Sequence, residues 1–415
     1  MPYQKLDTAL LWNGIRVRSD FASENGTSAS AERVAPDSYT LDVKLRVRVP
    51  EPNTSLEALS RINPVLPTVL PALESLLSTA KVSSFWHGLY ANKVKDLQRR
   101  LNRLDLLLSR HNFYDCETML ELKHPASGRK VLLVQSEMDV NVDGSDGDRL
   151  LPVDMTSSTF QPFTSYKWKK RTDRPNEFLA VWEARLAEQQ AELKKPGLTA
   201  ARAAALRESI AETKRGILDL KSNSFLISRA DPAVVLPGFM FQHQDHPYRP
   251  RIGDYAVVIY GDRLFPAILG DVGPSTKMGE ATTRLCREIN PATSATRRPE
   301  SDLKVTYLFF PGTADTPFGP PDYAKWRARC EELLNEIGGY TGTLREWEDL
   351  TVPPPTPTPA PTPTPTPSPT PEANPTVAPE PAGVPSPTPS AEPSPSADAA
   401  PVETPAAAMP EPAQP

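Results

Sequence analysis

Apolar and polar residues alternate strictly in one stretch near the N-terminus, residues 39–49. The apolar positions there are Leu41, Val43, Leu45, Val47 and Val49, and the positions between them are Asp42, Lys44, Arg46 and Arg48. A period of two residues places the two sets on opposite faces of an extended chain. The pattern predicts a half-buried β-strand, preceded by a loose, aperiodic arm over residues 1–38.

Helical spacing follows this stretch. Apolar residues recur at every third or fourth position over residues 56–59, 66–77 and 85–108. One side of the last segment is lined by Val94, Leu97, Leu101, Leu104 and Leu108. Such apolar stripes are typical of amphipathic helices that pack on a core. They predict a helical part over residues 54–108.

Strand-like patterns dominate the rest of the chain. Residues 118–122 and 130–135 flank the turn-rich segment H-P-A-S-G and predict a β-hairpin. Gly261 and Asp262 are expected to form a tight turn between two further strands. These two strands are predicted over residues 255–260 and 264–269, and two more over 224–227 and 304–310. A helix over 322–337 follows and ends at Gly338. The mixture predicts an α+β protein with a β-rich domain over residues 39–350.

Residues 176–221 interrupt the strand-rich region with a segment rich in Ala, Leu, Glu, Lys and Arg. Pro196 and Gly197 break it once, and Thr199 is placed to cap the second half. This composition predicts a helical hairpin with arms about 30 Å long. We interpret it as a surface insertion or a dimerisation arm rather than a part of the catalytic machinery.

Composition changes at residue 352. Half of the 48 prolines lie beyond this point, in Pro-Thr, Pro-Ala and Pro-Ser repeats without an aromatic residue. Such a segment buries too little apolar surface to offset the entropy lost on ordering, so residues 352–415 are predicted to be a disordered, extended tail. Without the six acidic residues of this tail, the formal net charge changes from −5 to +1. The foldable part is thus nearly neutral, and it lacks the basic stripe typical of nucleic-acid binding.

Cysteine usage and the N-terminus bear on the compartment. Cys116, Cys286 and Cys330 lack metal-ligand spacing, and at most one disulfide could join them. Residues 1–21 lack the basic start and apolar stretch of a secretory signal, and no apolar run reaches the ~20 residues of a membrane span. These features predict a soluble protein that is not exported. The Pro-Thr tail, in contrast, is typical of extracellular linkers.

Asp271 and Glu280 are the leading candidates for chemistry. Asp271 follows a predicted strand, and Glu280 lies across a glycine-bounded loop. Glycoside hydrolysis needs one protonated carboxyl group for the leaving oxygen and one carboxylate that activates water. A strand end that faces a loop suits such a pair. The spacing alone does not distinguish it from two solvated loop side chains.

Several blocks of the chain occur in a characteristic order. The most specific is G-D-V-G-P at residues 270–274 with G-E-A-T at 279–282. The others are M-D-V-N-V-D-G at 138–144, F-L-I-S-R-A-D-P at 225–232, a small apolar strand at 252–259 and F-P-G at 310–312. Together they resemble glycoside hydrolase family 75, the fungal and bacterial chitosanases, over about residues 112–312.

The resemblance implies a fold, an activity and a site. The fold is a small barrel or closed sheet, and the activity is endo-acting, inverting hydrolysis of β-1,4-linked glucosamine polymers without a cofactor. Asp271 and Glu280 are implied as the catalytic carboxylates. The residues implied to contact the substrate are Asp139, Asn141, Asp143 and Thr282. The partner is chitosan or a related amino-sugar polysaccharide, and the family implies secretion or a place in the cell envelope.

An acidic cleft would attract chitosan, which is a polycation near its amine pKa. Asp139, Asp143, Asp146 and Asp148 suit that task. The chain also departs from the fungal pattern. Asn141 and Val142 replace an Asp and a Cys of the fungal loop, and the fungal enzymes lack the hairpin and the N-terminal helices. These departures leave a changed substrate preference open.

Other interpretations of the same residues are open. The acidic loop matches the opening of an EF-hand, but its twelfth position is Leu150 instead of the required Glu. Residues 242–246, Q-H-Q-D-H, contain two histidines without a third ligand block, and a surface loop is the simpler interpretation. A polysaccharide-binding or envelope protein without activity, and a hydrolase of another amino-sugar glycan, are the alternatives to a chitosanase.

Overall fold

The computed structural model describes residues 22–351, except Tyr39, Leu150 and Gln244. Most of the predicted N-terminal arm, residues 1–21, and the predicted tail, residues 352–415, lie outside the described residues. Helix α1, Ala29–Glu32, begins at Ser28, whose hydroxyl accepts a hydrogen bond from Ala31 N. No helix among the described residues is both long and apolar enough to cross a membrane.

The strand predicted over residues 39–49 is wrong for its described part, because residues 40–49 pair with no other strand. Leu45 and Val47 pack partly against the core, whereas Leu41 is 65% exposed. The segment is held by isolated side-chain contacts, such as the hydrogen bond from Tyr114 Oη to Arg48 O at 2.8 Å. Alternation alone does not make a strand, because a strand also needs a neighbouring strand with which to share backbone hydrogen bonds.

Five helices follow this extended segment. They are α2, Leu56–Ile62, α3, Leu66–Val69, α4, Leu73–Leu77, α5, Ser84–Asn102, and α6, Arg110–Phe113. Trp86, Leu89 and Tyr90 of α5 are buried in the core, and full burial of such side chains contributes about 1.5–3 kcal/mol each. The helix predicted to reach residue 108 stops earlier, because Leu104 has a φ of 52°. This left-handed position normally selects glycine, so the sequence carries no stop signal there.

Six strands close into a barrel, which confirms the predicted closed sheet. They are β3, Lys130–Asn141, β6, Ala233–Pro237, β7, Tyr255–Tyr260, β8, Arg263–Gly273, β9, Glu280–Thr282, and β10, Glu300–Phe309. Their order around the barrel is β3-β10-β7-β8-β6-β9, and β9 pairs in parallel with β3 to complete the circle. Closure leaves these strands without a free edge.

Short strands extend the sheet outside the barrel. The strand β2, Cys116–Lys123, pairs antiparallel with β3 and forms the predicted hairpin. In turn, β1, Lys81–Val82, pairs with β2, and β11, Thr343–Leu344, pairs with β8. The turn predicted at Gly261 joins β7 to β8, and Gly261 has a φ of 61°.

The predicted helical hairpin is present. It consists of α7, Leu179–Leu193, and α8, Ala200–Ser222. Thr199 caps α8 as expected, since its side chain accepts a hydrogen bond from Arg202 N. At the base of the hairpin, β4, Lys167–Lys169, pairs with β5, Asn223–Phe225. The insertion thus begins and ends on one small two-stranded sheet.

Two helices complete the described part of the chain. Helix α9, Thr283–Ile289, follows β9 directly. Helix α10, Tyr323–Glu336, is capped by Asp322 and packs on β7 and β8, with Trp326 and Leu333 buried. The predicted stop is confirmed, because Gly339 N donates to Leu334 O just beyond the helix. All three cysteines are free and buried.

Candidate active site

Strand β6 lies between the two strands that carry the candidate carboxylates. Val235 of β6 pairs with Asp271 of β8 on one side and with Glu280 of β9 on the other. Residues directly opposite each other in a sheet point to the same face, so both carboxyl groups project on the side of Val235. Neighbouring strands lie about 4.8 Å apart, so the backbones at Asp271 and Glu280 are about 10 Å apart.

A β-bulge sets the direction of Asp271. The pairing of β8 with β6 passes directly from Leu269 to Asp271 and skips Gly270. A Cβ atom at position 270 would lie 2.6 Å from Leu226 Cδ1, so the bulge leaves no room for a side chain. Gly270 O accepts a hydrogen bond from Tyr166 N at 2.8 Å. Bulges often redirect a side chain beside an active site, and this one places Asp271 opposite Val235.

Asp271 is held through one of its two oxygens. Its Oδ1 accepts hydrogen bonds from Ser165 N at 2.9 Å, from Ser165 Oγ at 2.6 Å and from Val272 N at 2.8 Å. Burial raises the pKa of Asp271; the Ser165 and Val272 donors oppose this effect, and the negative charge of Glu280 adds to it. The net pKa lies above the ordinary value, which favours a protonated carboxyl group.

Glu280 has an ionic environment instead. Its Oε1 lies 2.8 Å from Lys277 Nζ, and the same ammonium lies 2.7 Å from Asp139 Oδ2. Arg298 also reaches Asp139 Oδ2, at 3.3 Å. Burial alone would raise the pKa of Asp139, but Lys277 and Arg298 together hold it below the usual value. Asp139 therefore stays ionised, and Lys277 bridges two carboxylates.

Gly273 provides the space for the Glu280 carboxylate. A Cβ atom at position 273 would lie 2.5 Å from Glu280 Oε2 and 3.0 Å from Val235 Cγ1. A methyl group at position 273 would therefore displace the Glu280 carboxylate, and Gly273 serves this close packing rather than an unusual backbone dihedral angle.

Asp143 is a third carboxyl group at this site. It accepts a hydrogen bond from Gln161 N at 2.8 Å, and its backbone N–H donates to Asn141 Oδ1 at 3.1 Å. Burial, together with the charges of Asp271 and Glu280, raises the pKa of Asp143 to about 7. Asp271 and Glu280 thus lie close enough to Asp143 for their charges to affect its ionisation.

Comparison with known proteins supplies the identity of the fold. The family described as fungal chitosanase of glycosyl hydrolase group 75 matches residues 138–346, which is half of the chain. The chain belongs to this family. Membership makes it a chitosanase-like glycoside hydrolase whose substrate is a polysaccharide. No curated protein matches the chain.

The segment that matches glycosyl hydrolase group 75 contains both candidate carboxylates, Lys277 and Arg298. Helices α1 to α6 and strands β1 and β2 precede it. The barrel strand β3 begins at Lys130, before the matched segment starts at Met138. The group 75 barrel of this chain is thus built together with residues that the family match does not cover.

Thr282 is bonded inside the protein. Its hydroxyl donates to Asp231 O at 2.7 Å and accepts from Ala233 N at 3.1 Å, and its side chain is buried. These bonds join β9 to the start of β6. Asn141 similarly braces the chain at Asp143. Substrate contact by Thr282 and Asn141 stays a prediction.

Two acidic residues predicted to attract substrate have structural partners instead. Asp146 is buried and ion-pairs with Arg149 at 2.6 Å, and Arg149 also pairs with Asp231 at 2.7 Å. Asp148 accepts a hydrogen bond from Thr172 Oγ1 at 2.6 Å. Their charges are used to fold the loop after β3, and attraction of substrate by Asp139 and Asp143 stays a prediction.

Three residues of the site were not identified from the sequence. Lys277 lies between Asp271 and Glu280, in a segment to which the sequence assigned no role. Ser165 and Arg298 lie in loops whose sequences show no periodic pattern. The position of Lys277, three residues before a candidate carboxylate, is the one local signal that would have identified it.

The remaining alternatives concern metals and histidines. Among the residues that the structure describes, no three His, Cys, Asp or Glu side chains are arranged to bind a metal ion. Residues 242, 243 and 245 are exposed, which confirms the predicted surface loop, although Gln244 lies outside the described residues. His246 Nε2 lies 3.2 Å from Ser84 Oγ, at the start of α5. Leu150, on which the EF-hand argument turned, is also outside the described part.

Proposed function

We propose that this glycoside hydrolase is an endo-acting chitosanase that cleaves β-1,4-linked glucosamine polymers with inversion, using Asp271 and Glu280. The placement of both residues opposite Val235, on strands two positions apart, carries the proposal. Inverting enzymes separate their carboxyl groups by roughly 6.5–9.5 Å to admit a water molecule. Backbones about 10 Å apart with side chains on one face suit that separation.

The two environments suggest different roles. Asp271 is partly buried and its pKa is raised, so it suits the proton donor. Its Oδ1 already accepts three hydrogen bonds, which leaves Oδ2 to carry the proton. Glu280 is ion-paired with Lys277 and suits the ionised base. Within the proposal, Glu280 removes a proton from water while the oxygen of that water bonds to the anomeric carbon. Asp271 protonates the sugar oxygen that leaves this carbon.

Substrate contact is assigned to Asp143, one of the two acidic residues that flank this pair. Asp139 shares its charge with Lys277 and Arg298, whereas the described contacts of Asp143 involve only uncharged donors. We therefore assign the ammonium group of a glucosamine unit to Asp143, positioned by Asn141. Within the proposal, Asp139 holds Lys277 in position, and Thr282 holds strand β9 in position.

The decisive experiment measures product release by the purified protein on chitosans of defined acetylation, on chitin and on peptidoglycan. Reducing ends and shortened oligomers from chitosan, with the α-anomer formed first, are expected. Asp271→Asn and Glu280→Gln should each lower kcat by ~10²- to 10⁴-fold, since each removes one proton transfer. Asp302→Asn, at a side chain that is 65% exposed, is the matched control and should keep kcat.

Each possible result has a defined meaning. Cleavage of another amino-sugar glycan with the same response to both amide variants would keep the carboxylate pair and change the substrate. Wild-type kcat in both amide variants would transfer the chemistry to Asp139 and Asp143. Initial release of the β-anomer would overturn the inverting mechanism.

A further inference from the structure

The loop between Asp271 and Glu280 carries Lys277 and is anchored at its far end. Met278 is 2% exposed, so its side chain is inserted into the core. Gly279 O accepts a hydrogen bond from Asp139 N at 2.8 Å. The backbone N–H of Met278, the residue after Lys277, donates a hydrogen bond to Asp115 Oδ2 at 3.1 Å. A side chain from before the barrel therefore anchors the backbone beside the ammonium that contacts Glu280.

Asp115 belongs to a fully buried ion pair. Its Oδ2 lies 2.8 Å from Lys93 Nζ, and the side chains are 1% and 0% exposed. Lys93 projects from α5 and also donates to Asn112 O at 2.6 Å. Asp115 Oδ1 is buried without a hydrogen-bond partner among the described residues. Desolvating two charges costs several kcal/mol per ion, so a buried ion pair is weak evidence for a gain in stability. A role in fixing the position of the groups around it is the better explanation.

A second set of contacts reaches the same loop. Arg298 donates to Asn112 Oδ1 at 2.7 Å and ion-pairs with Glu137 Oε1 at 2.9 Å and with Asp139 Oδ2 at 3.3 Å. Asp139 in turn contacts Lys277 at 2.7 Å. The short segment 112–115 is thus bonded to the loop backbone through Asp115, and it is linked through Arg298 to Asp139, the partner of Lys277.

We infer that Lys93 and Asp115 are positioning residues, which fix the Met278 backbone and thereby hold the Lys277 ammonium against Glu280. This inference rests on the proposed role of Glu280. Both residues precede the segment 138–346 that matches the family, so the N-terminal helical part of this chain belongs to its catalytic unit. The pair touches neither substrate nor reacting atoms and acts through the loop.

The expected effect follows from the geometry. Lys277 is adjacent to Met278. Loss of the Asp115 acceptor therefore loosens the backbone that orients the Lys277 side chain toward Glu280. A displacement of about 1 Å in a catalytic group costs up to about 10²-fold in rate.

Two double variants test the inference. Lys93→Met with Asp115→Leu replaces the ion pair by apolar side chains, a change that is often neutral or stabilising, and removes the acceptor for Met278 N. Lys93→Met with Asp115→Asn is the matched variant, because it removes the same charges and keeps an acceptor oxygen. Asp96→Asn, on the same helix and bonded to Arg100 at 2.8 Å, is the control for stability alone.

The Leu variant is expected to lower kcat about tenfold or more with little change in KM and to speed hydrogen exchange of the Met278 amide. The Asn variant should restore both quantities, and Asp96→Asn should change neither. A folded Leu variant with wild-type kcat and slow Met278 exchange would overturn the inference.

Hydrogen exchange also decides the case in which the Leu variant does not fold. In that case, hydrogen exchange of the wild-type protein is measured at increasing denaturant concentration. The Met278 amide should exchange through the same opening reaction as the amides of α5, and exchange through a separate opening would contradict the inference. Exchange is measured without substrate. A wild-type protein that cleaves no glycan would therefore defeat the proposed function, while the Met278 amide would still test the placement of the loop.

Discussion

Single residues at this site differ in their surroundings more than in their chemistry. Asp271 is partly buried and bonded to uncharged donors, whereas Glu280 is buried and contacts an ammonium. Environments of opposite kind let two carboxyl groups take the acid and the base role in one cleft. Gly273 shows how closely that arrangement is packed, because it leaves no space for a methyl group beside Glu280 Oε2.

Gly273→Ala is therefore expected to act as an active-site variant. The added Cβ would displace the Glu280 carboxylate, and kcat should fall by about 10- to 100-fold while the fold persists. Steady-state kinetics on chitosan together with circular dichroism measure both quantities. Gly319→Ala is the matched control, since a Cβ there meets nothing within 4 Å. Equal kcat in the two variants would show that the carboxylate tolerates the methyl group.

At the scale of elements, one loop supports two of the three carboxyl groups. Gln161 N binds Asp143, and Ser165 binds Asp271. Phe163, between them, packs edge-on against Trp182 of α7, with ring centroids 4.8 Å apart. A Cβ at Gly216 of α8 would lie 2.5 Å from that Trp182 ring. The base of the hairpin therefore braces the loop, whereas the distal part keeps its predicted peripheral role.

Two shortened hairpins separate these parts. Replacing residues 187–211 by a Gly/Ser turn keeps Trp182 and Gly216 and is expected to leave kcat unchanged. Replacing residues 179–222 removes the support of Phe163 and should lower kcat by loosening the loop that holds Asp271. Turnover and chitosan affinity are measured on both proteins. If the longer deletion folds with wild-type kcat, the whole hairpin is peripheral, and lost affinity in the shorter one would assign its tip to the cleft.

The whole molecule contains buried acids whose ionisation opposes folding. Burial raises the pKa of Glu137 to about 8 although Arg298 opposes it, and burial raises the pKa of Asp115 to about 6 despite Lys93. A carboxyl group whose folded pKa is raised stabilises the protein fully below its unfolded pKa, and the contribution is lost as pH rises through the folded value. The charged groups around Glu137 are Arg298, His111, Asp115, Asp139 and Lys277.

The melting temperature is accordingly expected to fall as pH rises from about 5 to about 9. Glu137→Gln keeps a neutral side chain at every pH and should flatten part of that fall, since the protein no longer has to ionise a buried acid there. Thermal unfolding of both proteins across this range measures the difference. Parallel curves for the wild-type and variant proteins would mean that Glu137 titrates alike in the folded and unfolded chains.

The sequence by itself determined the elements whose signals are local. The strand predicted over residues 255–260 matches β7, Thr199 caps α8, and Asp322 begins α10. These features depend on periodicity and on side chains within one turn of the backbone they bind. The order of the G-D-V-G-P and G-E-A-T blocks likewise sufficed to indicate the family that the chain belongs to.

Only the tertiary structure decided which strands close the barrel and what surrounds the carboxylates. The short strands β6 and β9 are fully buried, so neither shows the alternation that marks a strand. Ser165 reaches Asp271 across 106 residues of chain, and Asp115 reaches Met278 across 163. Such contacts leave no period in the sequence, because they form when distant segments are brought together by burial of a common core.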